Sequence, residues 1–181
     1  MYYIGGYLWK GWHNVLLSEE KKKEIEKKAI EFLVKHNETQ LPISPERLAK
    51  LEGLNVEYAD MDNNCIGEWN KDEKKIIVDT QLKGNEPYAR CVIAHELGHF
   101  VFGDNVGEKT TNGELSEMEA KCNYFAQVLL MPKPYVEEAV KIHNEKKNKP
   151  FDSIVEYIRL LFNVTERKAR NRLGECGIVQ R

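Results

Sequence analysis

The chain has too few cysteines, too widely spread, for a disulfide framework or a thiolate metal cage. Its four, Cys65, Cys91, Cys122 and Cys176, contain no C-x-x-C pair. That fits a reducing compartment where thiols stay free. A charge of one sign is missing as well. Lys+Arg 27 against Asp+Glu 29 leave a net charge of −2, so no global positive field points to nucleic acid, and direct nucleic-acid binding is not expected. No apolar run is long enough to span a bilayer, which argues against a membrane partner. The aromatic opening, MYYIGGYLWKGWHNVLL, has no basic residues ahead of its apolar part, and Lys10, His13 and Asn14 interrupt it. It therefore reads as an N-terminal extension over 1–17, an extra strand or a docking arm, rather than a signal peptide. The expected location is cytoplasmic. Internal repeats and low-complexity linkers are absent, and 181 residues at 41% hydrophobic suit one domain with a sizeable core.

What is present begins with a capped helix. Ser18 precedes EEKKKEIEKKAIEFLVKH, in which Ile25, Ala29, Phe32, Leu33 and His36 fall on one stripe and the alternating acids and bases face water. A short helix follows, with Ser44 as N-cap, Pro45 at its first position and Gly53 as its stop. NVEYA, CIGEW and KIIVD read as strands, the last two joined into a hairpin by NKDE. NEPYARCVIAHELGHFVFG is a helix opened near Pro87 and closed by Gly103. A polar loop, DNVGEKTTNGE, leads to the helix LSEMEAKCNYFAQVLL, which the prolines of MPKP stop. YVEEAVKIHNEKKNK is a further helix. DSIVEYIRLLF and TERKARNRLGECG form a final pair, the second capped by Thr165. Small helices, an antiparallel sheet and a helical remainder make the fold class α+β. The expected organisation is a core over 18–150 and a C-terminal helical pair over 151–181 packed on it.

The chemistry concentrates in His95-Glu96-Leu97-Gly98-His99. Residues four apart share a helix face, so the imidazoles of His95 and His99 can converge on one metal ion. Glu96, beside the first, can reach the open side of the metal and accept a proton from water. The apolar neighbours Val92, Ile93, Phe100 and Val101 bury the helix, where unpaired histidines or a glutamate would be costly. A third ligand is needed. The metzincin extension would put glycine at 102 and histidine at 105, but Phe102 and Asn105 stand there, which excludes that subclass. His143 lies in a heavily charged helix end and reads as solvated. The remaining source is a carboxylate of the next helix: Glu114, Glu117 or Glu119. Asn123, one turn beyond Glu119 on the same face, distinguishes that residue, because it could hold a histidine ring through its free N–H. The competing assignment is Glu117, or a capping role for Glu119 in the pattern Ser116-Glu117-Met118-Glu119. Cys91 reads as a buried packing thiol, and Cys122 stays outside the site.

These residues resemble the ImmA/IrrE family of zinc metallopeptidases. Arg90, His95, Glu96, Gly98 and His99 match the family's arginine followed by H-E-x-G-H. Glu119, Asn123, Phe125, Ala126, Leu129, Leu130, Met131 and Pro132 match its E-x-x-x-N-x-F-A-x-x-L-L-M-P. The resemblance covers about residues 18 to 179, with PISPERLAKLEGLNVEY and LLFNVTERKARNRLGECGIV similar to the family's lead-in and ending. Cys122 stands where the family usually has alanine, and the segment before Ser18 has no counterpart. The resemblance implies a zincin-like minimal metallopeptidase domain holding Zn2+. Its ligands would be His95, His99 and Glu119, with Glu96 as catalytic acid/base and Asn123 behind a ligand histidine. It implies a protein substrate, a helix-turn-helix repressor of a phage, mobile element or stress operon. A substrate strand is expected along the hairpin edge, at Gly67–Asn70 or Lys74–Asp79. The competing reading is a non-proteolytic, zinc-containing regulator acting by protein or DNA binding, with Arg167, Lys168, Arg170 and Arg172 on a recognition-like helix.

Overall fold

The structure is a computed structural model that describes residues 17–61, 65–103, 117–145, 151 and 153–179. The N-terminal extension, the polar loop with Glu114, and Ser116 lie outside the described residues.

Local signals act where the sequence places them. Ser18 accepts a hydrogen bond from the Lys21 amide and starts α1 (Glu19–Lys35), whose buried residues are Ile25, Ala29, Phe32 and Leu33. Ser44 does the same through the Arg47 amide for α2 (Pro45–Leu51), with Pro45 in the first turn. Gly53, at φ +75°, then turns the chain into β1 (Asn55–Ala59), a conformation that costs glycine little. β2 (Gly67–Asn70) and β3 (Lys75–Asp79) form the expected antiparallel hairpin, with Trp69 opposite Ile76.

The sheet as a whole is mixed rather than antiparallel. Its order is β1-β3-β2, and β1 runs parallel to β3 with Asn55 opposite Lys75. Asp79, at the end of β3, holds the described residues on either side of the connection from β1 to β2. The Met61 amide donates to the Asp79 carboxylate at 3.3 Å, and the Asp79 amide donates to the Ile66 carbonyl at 3.1 Å. β3 is therefore central, so the segment Lys74–Asp79 offers no free edge. β2 is an edge strand.

α3 (Glu86–Phe102) packs on this sheet and, most extensively, on α4 (Glu117–Leu130). Every residue of α3 from Ala89 to His99 is buried. Trp69 of β2 meets Phe100 edge to face at 5.5 Å, and Phe125 of α4 meets Phe32 and Phe102 in the same way. Arg90 fixes α3 to two other parts of the chain. Its guanidinium donates to the Ile43 carbonyl ahead of α2, and to the Asn163 carbonyl at 3.1 Å beyond α6 (Ile154–Phe162). α5 (Lys133–Glu145) begins two residues earlier than expected, because Pro134 starts it instead of merely ending α4. α7 (Glu166–Glu175) is capped by Thr165.

Three buried side chains correct the reading of these helices: His143, read as solvated, and two of the four basic residues of the recognition-like helix. His143 is buried, with Nε2 at 2.9 Å from the Phe151 carbonyl and its ring against Tyr157. On α7, Lys168 and Arg172 point into the core, while Arg170 pairs outside with Glu166 at 2.9 Å. Arg172 donates to the Met131 carbonyl and to Glu26. The four basic residues thus do not share one solvent face. Burial pushes the Lys168 ammonium down to about 8. Between that value and the 10.5 of an ordinary lysine, the unfolded chain binds the extra proton. Stability should therefore rise with pH across this window. Lys168→Met should flatten that rise and add about 3 kcal/mol at neutral pH, from roughly 1.4 kcal/mol per pK unit. Urea unfolding of both proteins from pH 7 to 11 tests this; curves that stay parallel would refute it.

Candidate metal centre

Gly98 sets the distance between α3 and α4. A Cβ on it would lie 3.0 Å from the Cα of Cys122, tighter than side chains ordinarily pack, so glycine lets the two helices approach this closely without a shift. The close contact sets three side chains together. His95 Nε2 and His99 Nε2 are 3.1 Å apart. The Glu119 carboxylate reaches His95 Nε2 at 3.2 Å and His99 Nε2 at 3.3 Å. Donors about 2.0–2.2 Å from a tetrahedral zinc would stand roughly 3.3–3.6 Å from one another. The three groups are close enough to hold a metal ion, and their nitrogen–oxygen donor set suits zinc.

Behind the histidines, α4 supplies a partner for each ring. His95 Nδ1 donates to Asn123 Oδ1 at 3.0 Å, which leaves Nε2 free to face the other donors. His99 is hydrogen-bonded to Cys122, a contact the sequence reading left out. Its signal was available in the spacing: Cys122 is three residues beyond Glu119 and adjacent to Asn123, on the same helix face.

The electrostatics follow from this packing. Burial alone would lower the His99 pKa, but the Cys122 and Glu119 contacts outweigh it and push it up to about 11. Burial works to raise the Glu119 carboxyl, yet its hydrogen bonds to both histidines hold it well below the usual carboxylate range. The site thus favours positive charge at its centre.

Glu96 lies beside this group, buried and close to the edge strand. The Trp69 backbone N–H hydrogen-bonds its carboxylate, and a Cβ on Gly67 would sit 3.0 Å from Glu96 Oε1 and 2.3 Å from Val92. Burial raises the Glu96 carboxyl; the two histidines oppose that rise, and Glu119 adds to it. Gly67 and the Trp69 amide were missed as parts of the site. A backbone donor brought in by tertiary packing leaves no trace in a sequence motif.

The competing carboxylate, Glu117, turns away to Lys21 at 2.8 Å and Lys121 at 3.1 Å. Cys91 is buried among the core residues, and burial pushes its thiol up. His143 is held by Phe151 and does not enter the group.

No curated protein matches the chain. Among solved structures, a Mycobacterium tuberculosis transcriptional regulator is similar at a TM-score of 0.58 and 18% identity, a likeness of fold. The match covers 91% of this chain and 57% of that one, so this chain spans little more than half the regulator's length. No helix among the described residues is long and apolar enough to cross a membrane. Residues 57–173, which contain both halves of the His-His-Glu group, match the Peptidase_M78 family, described as the IrrE N-terminal-like domain, and the chain belongs to that family.

Proposed function

We propose that the chain is a zinc-dependent endopeptidase that cuts a helix-turn-helix transcriptional repressor of a phage, mobile element or stress operon. His95, His99 and Glu119 hold the metal, Glu96 is the catalytic acid/base and Asn123 orients His95. The observation that carries this reading is the trio of donor side chains, two imidazoles and a carboxylate in contact at 3.1–3.3 Å, with a buried carboxylate beside them. Zinc bound there supplies Lewis acidity, lowering the pKa of a water to about 7 and polarising a carbonyl. Glu96 takes a proton from the attacking water and delivers it to the leaving amine. The Trp69 amide keeps the Glu96 carboxylate aimed through both transfers. An extended substrate pairs with the edge of β2 that no described strand covers, which runs past Glu96 at Gly67. The repressor target rests on the resemblance, and the similar structure's being named a transcriptional regulator is in keeping with a role in transcription.

The test is cleavage of the candidate helix-turn-helix repressor by three samples: the zinc-loaded chain, the chelator-stripped chain, and the stripped chain with zinc restored. Discrete fragments should form with zinc, vanish on stripping and return on restoration. If none of the three samples cuts while the chain still alters the repressor's DNA binding, the activity is regulation by contact and the peptidase reading fails.

A further inference from the structure

We infer that an extended substrate pairs with β2 at Gly67, and that the Cys65 thiol holds the Gly67 carbonyl until a substrate amide takes its place. The inference rests on the peptidase reading above and deepens it, from a strand edge to one residue and its built-in competitor.

The register of the hairpin fixes which backbone groups of β2 are open. Gly67 stands opposite Val78, and one step back the Asp79 amide donates to the Ile66 carbonyl at 3.1 Å. Backbone groups alternate sides along a strand, so where Ile66 faces β3, the N–H and carbonyl of Gly67 face away from it. They point to the edge that no described strand covers. The missing side chain brings this residue onto Glu96. A Cβ at Gly67 would lie 2.3 Å from Val92 Cγ1, 3.0 Å from Glu96 Oε1 and 3.5 Å from the Glu96 carboxyl carbon. A substrate residue paired with Gly67 is therefore held beside the catalytic carboxylate, next to the bond to be cut.

That edge is already occupied at one point. Cys65, half-buried just ahead of β2, donates its thiol to the Gly67 carbonyl at 3.1 Å. An edge strand leaves such a carbonyl without a ladder partner, and the thiol fills the role. It fills it weakly, because S–H is a poor donor beside a peptide N–H. An incoming peptide exchanges the weak donor for the strong one, and breaking the thiol contact takes part of its affinity. Since the contest is over a main-chain group, it bears on every extended peptide alike, whatever its side chains.

The probe is a phosphinic pseudopeptide with alanine on both sides, so that its affinity comes from the metal and from its own main chain. Its affinity is measured for the zinc-loaded native chain, Cys65→Ala, Cys65→Ser and Cys176→Ala, and infrared S–H stretching bands are recorded with and without it. Cys65→Ala should bind about two- to fivefold more tightly, the lower part of what one hydrogen bond contributes. Cys65→Ser, which keeps a donor, should bind no more tightly than the native chain. Cys176→Ala, which removes the other half-buried thiol, should match the native chain. In the native chain, the band that Cys65→Ala lacks should move toward the position of an unbonded thiol when the probe binds, a change that packing alone would not produce. Native or weaker binding by Cys65→Ala overturns the inference, as does a serine variant as tight as the alanine one, an equal gain in Cys176→Ala, or a Cys65 band that the probe leaves in place. Each of these leaves the peptidase reading standing. A zinc-loaded native chain that does not bind the probe removes that reading and this inference together.

Discussion

Glu96→Gln should lower peptide hydrolysis by about 10²–10⁴-fold, the contribution of a positioned general acid/base, while zinc binds with unchanged stoichiometry. The expectation follows from what glutamine keeps and what it loses. Its amide oxygen can still accept the Trp69 N–H that holds the native carboxylate, and its volume fits the space left by Gly67. It cannot take a proton from water at any ordinary pH, and the side chain does not belong to the His95, His99 and Glu119 group. Rate and metal content should therefore separate. Metal analysis beside a cleavage time course reads both quantities on one preparation. Undiminished cleavage by the glutamine variant would remove Glu96 from the chemistry, and cleavage lost together with zinc would make it a structural support of the site.

The parts of this fold that were legible in the sequence are those that short-range chemistry decides. Ser18, Ser44 and Thr165 cap helices because an N-cap hydroxyl meets an amide three residues on, a relation contained within four residues. His95 and His99 converge because helix periodicity alone puts them on one face. Asn123 marked Glu119 by the same periodicity applied to the partner helix, and it stands 3.0 Å from His95. Relations between distant segments were not legible. The hairpin of β2 and β3 announces itself through its turn, but the parallel pairing of β1 depends on a connection fastened by Asp79, which no local pattern encodes. Nor does charge report burial on α7. Lys168 and Arg172 lie four apart and so face the same way, into the core, where Arg172 finds the Met131 carbonyl and Glu26 as partners. His143 deceived for the same reason, since the lysines and glutamates around it describe the other sides of its helix.

Glu119→Ala should weaken zinc binding by more than the about 10–100-fold that loss of an outer partner costs, because it removes a donor atom instead of a support. The two histidines would remain, since Asn123 still holds His95 and α3 is buried on all sides. Two nitrogens on one helix face, however, leave the ion with half of a tetrahedral set to be made up by water. Removing the carboxylate also deletes the negative charge that sits 3.2 and 3.3 Å from the two imidazoles, so the remaining site attracts a cation less. Glu117→Ala is the matched control on the same helix. Its carboxylate is half exposed and bound to Lys21 and Lys121, solvent-screened pairs that contribute little to stability and nothing to the centre. Chelator competition on both variants therefore discriminates between the two carboxylates that the sequence left in contention. Native affinity in Glu119→Ala would place the third ligand elsewhere, and Glu114, in the segment between α3 and α4, would be the next carboxylate to replace.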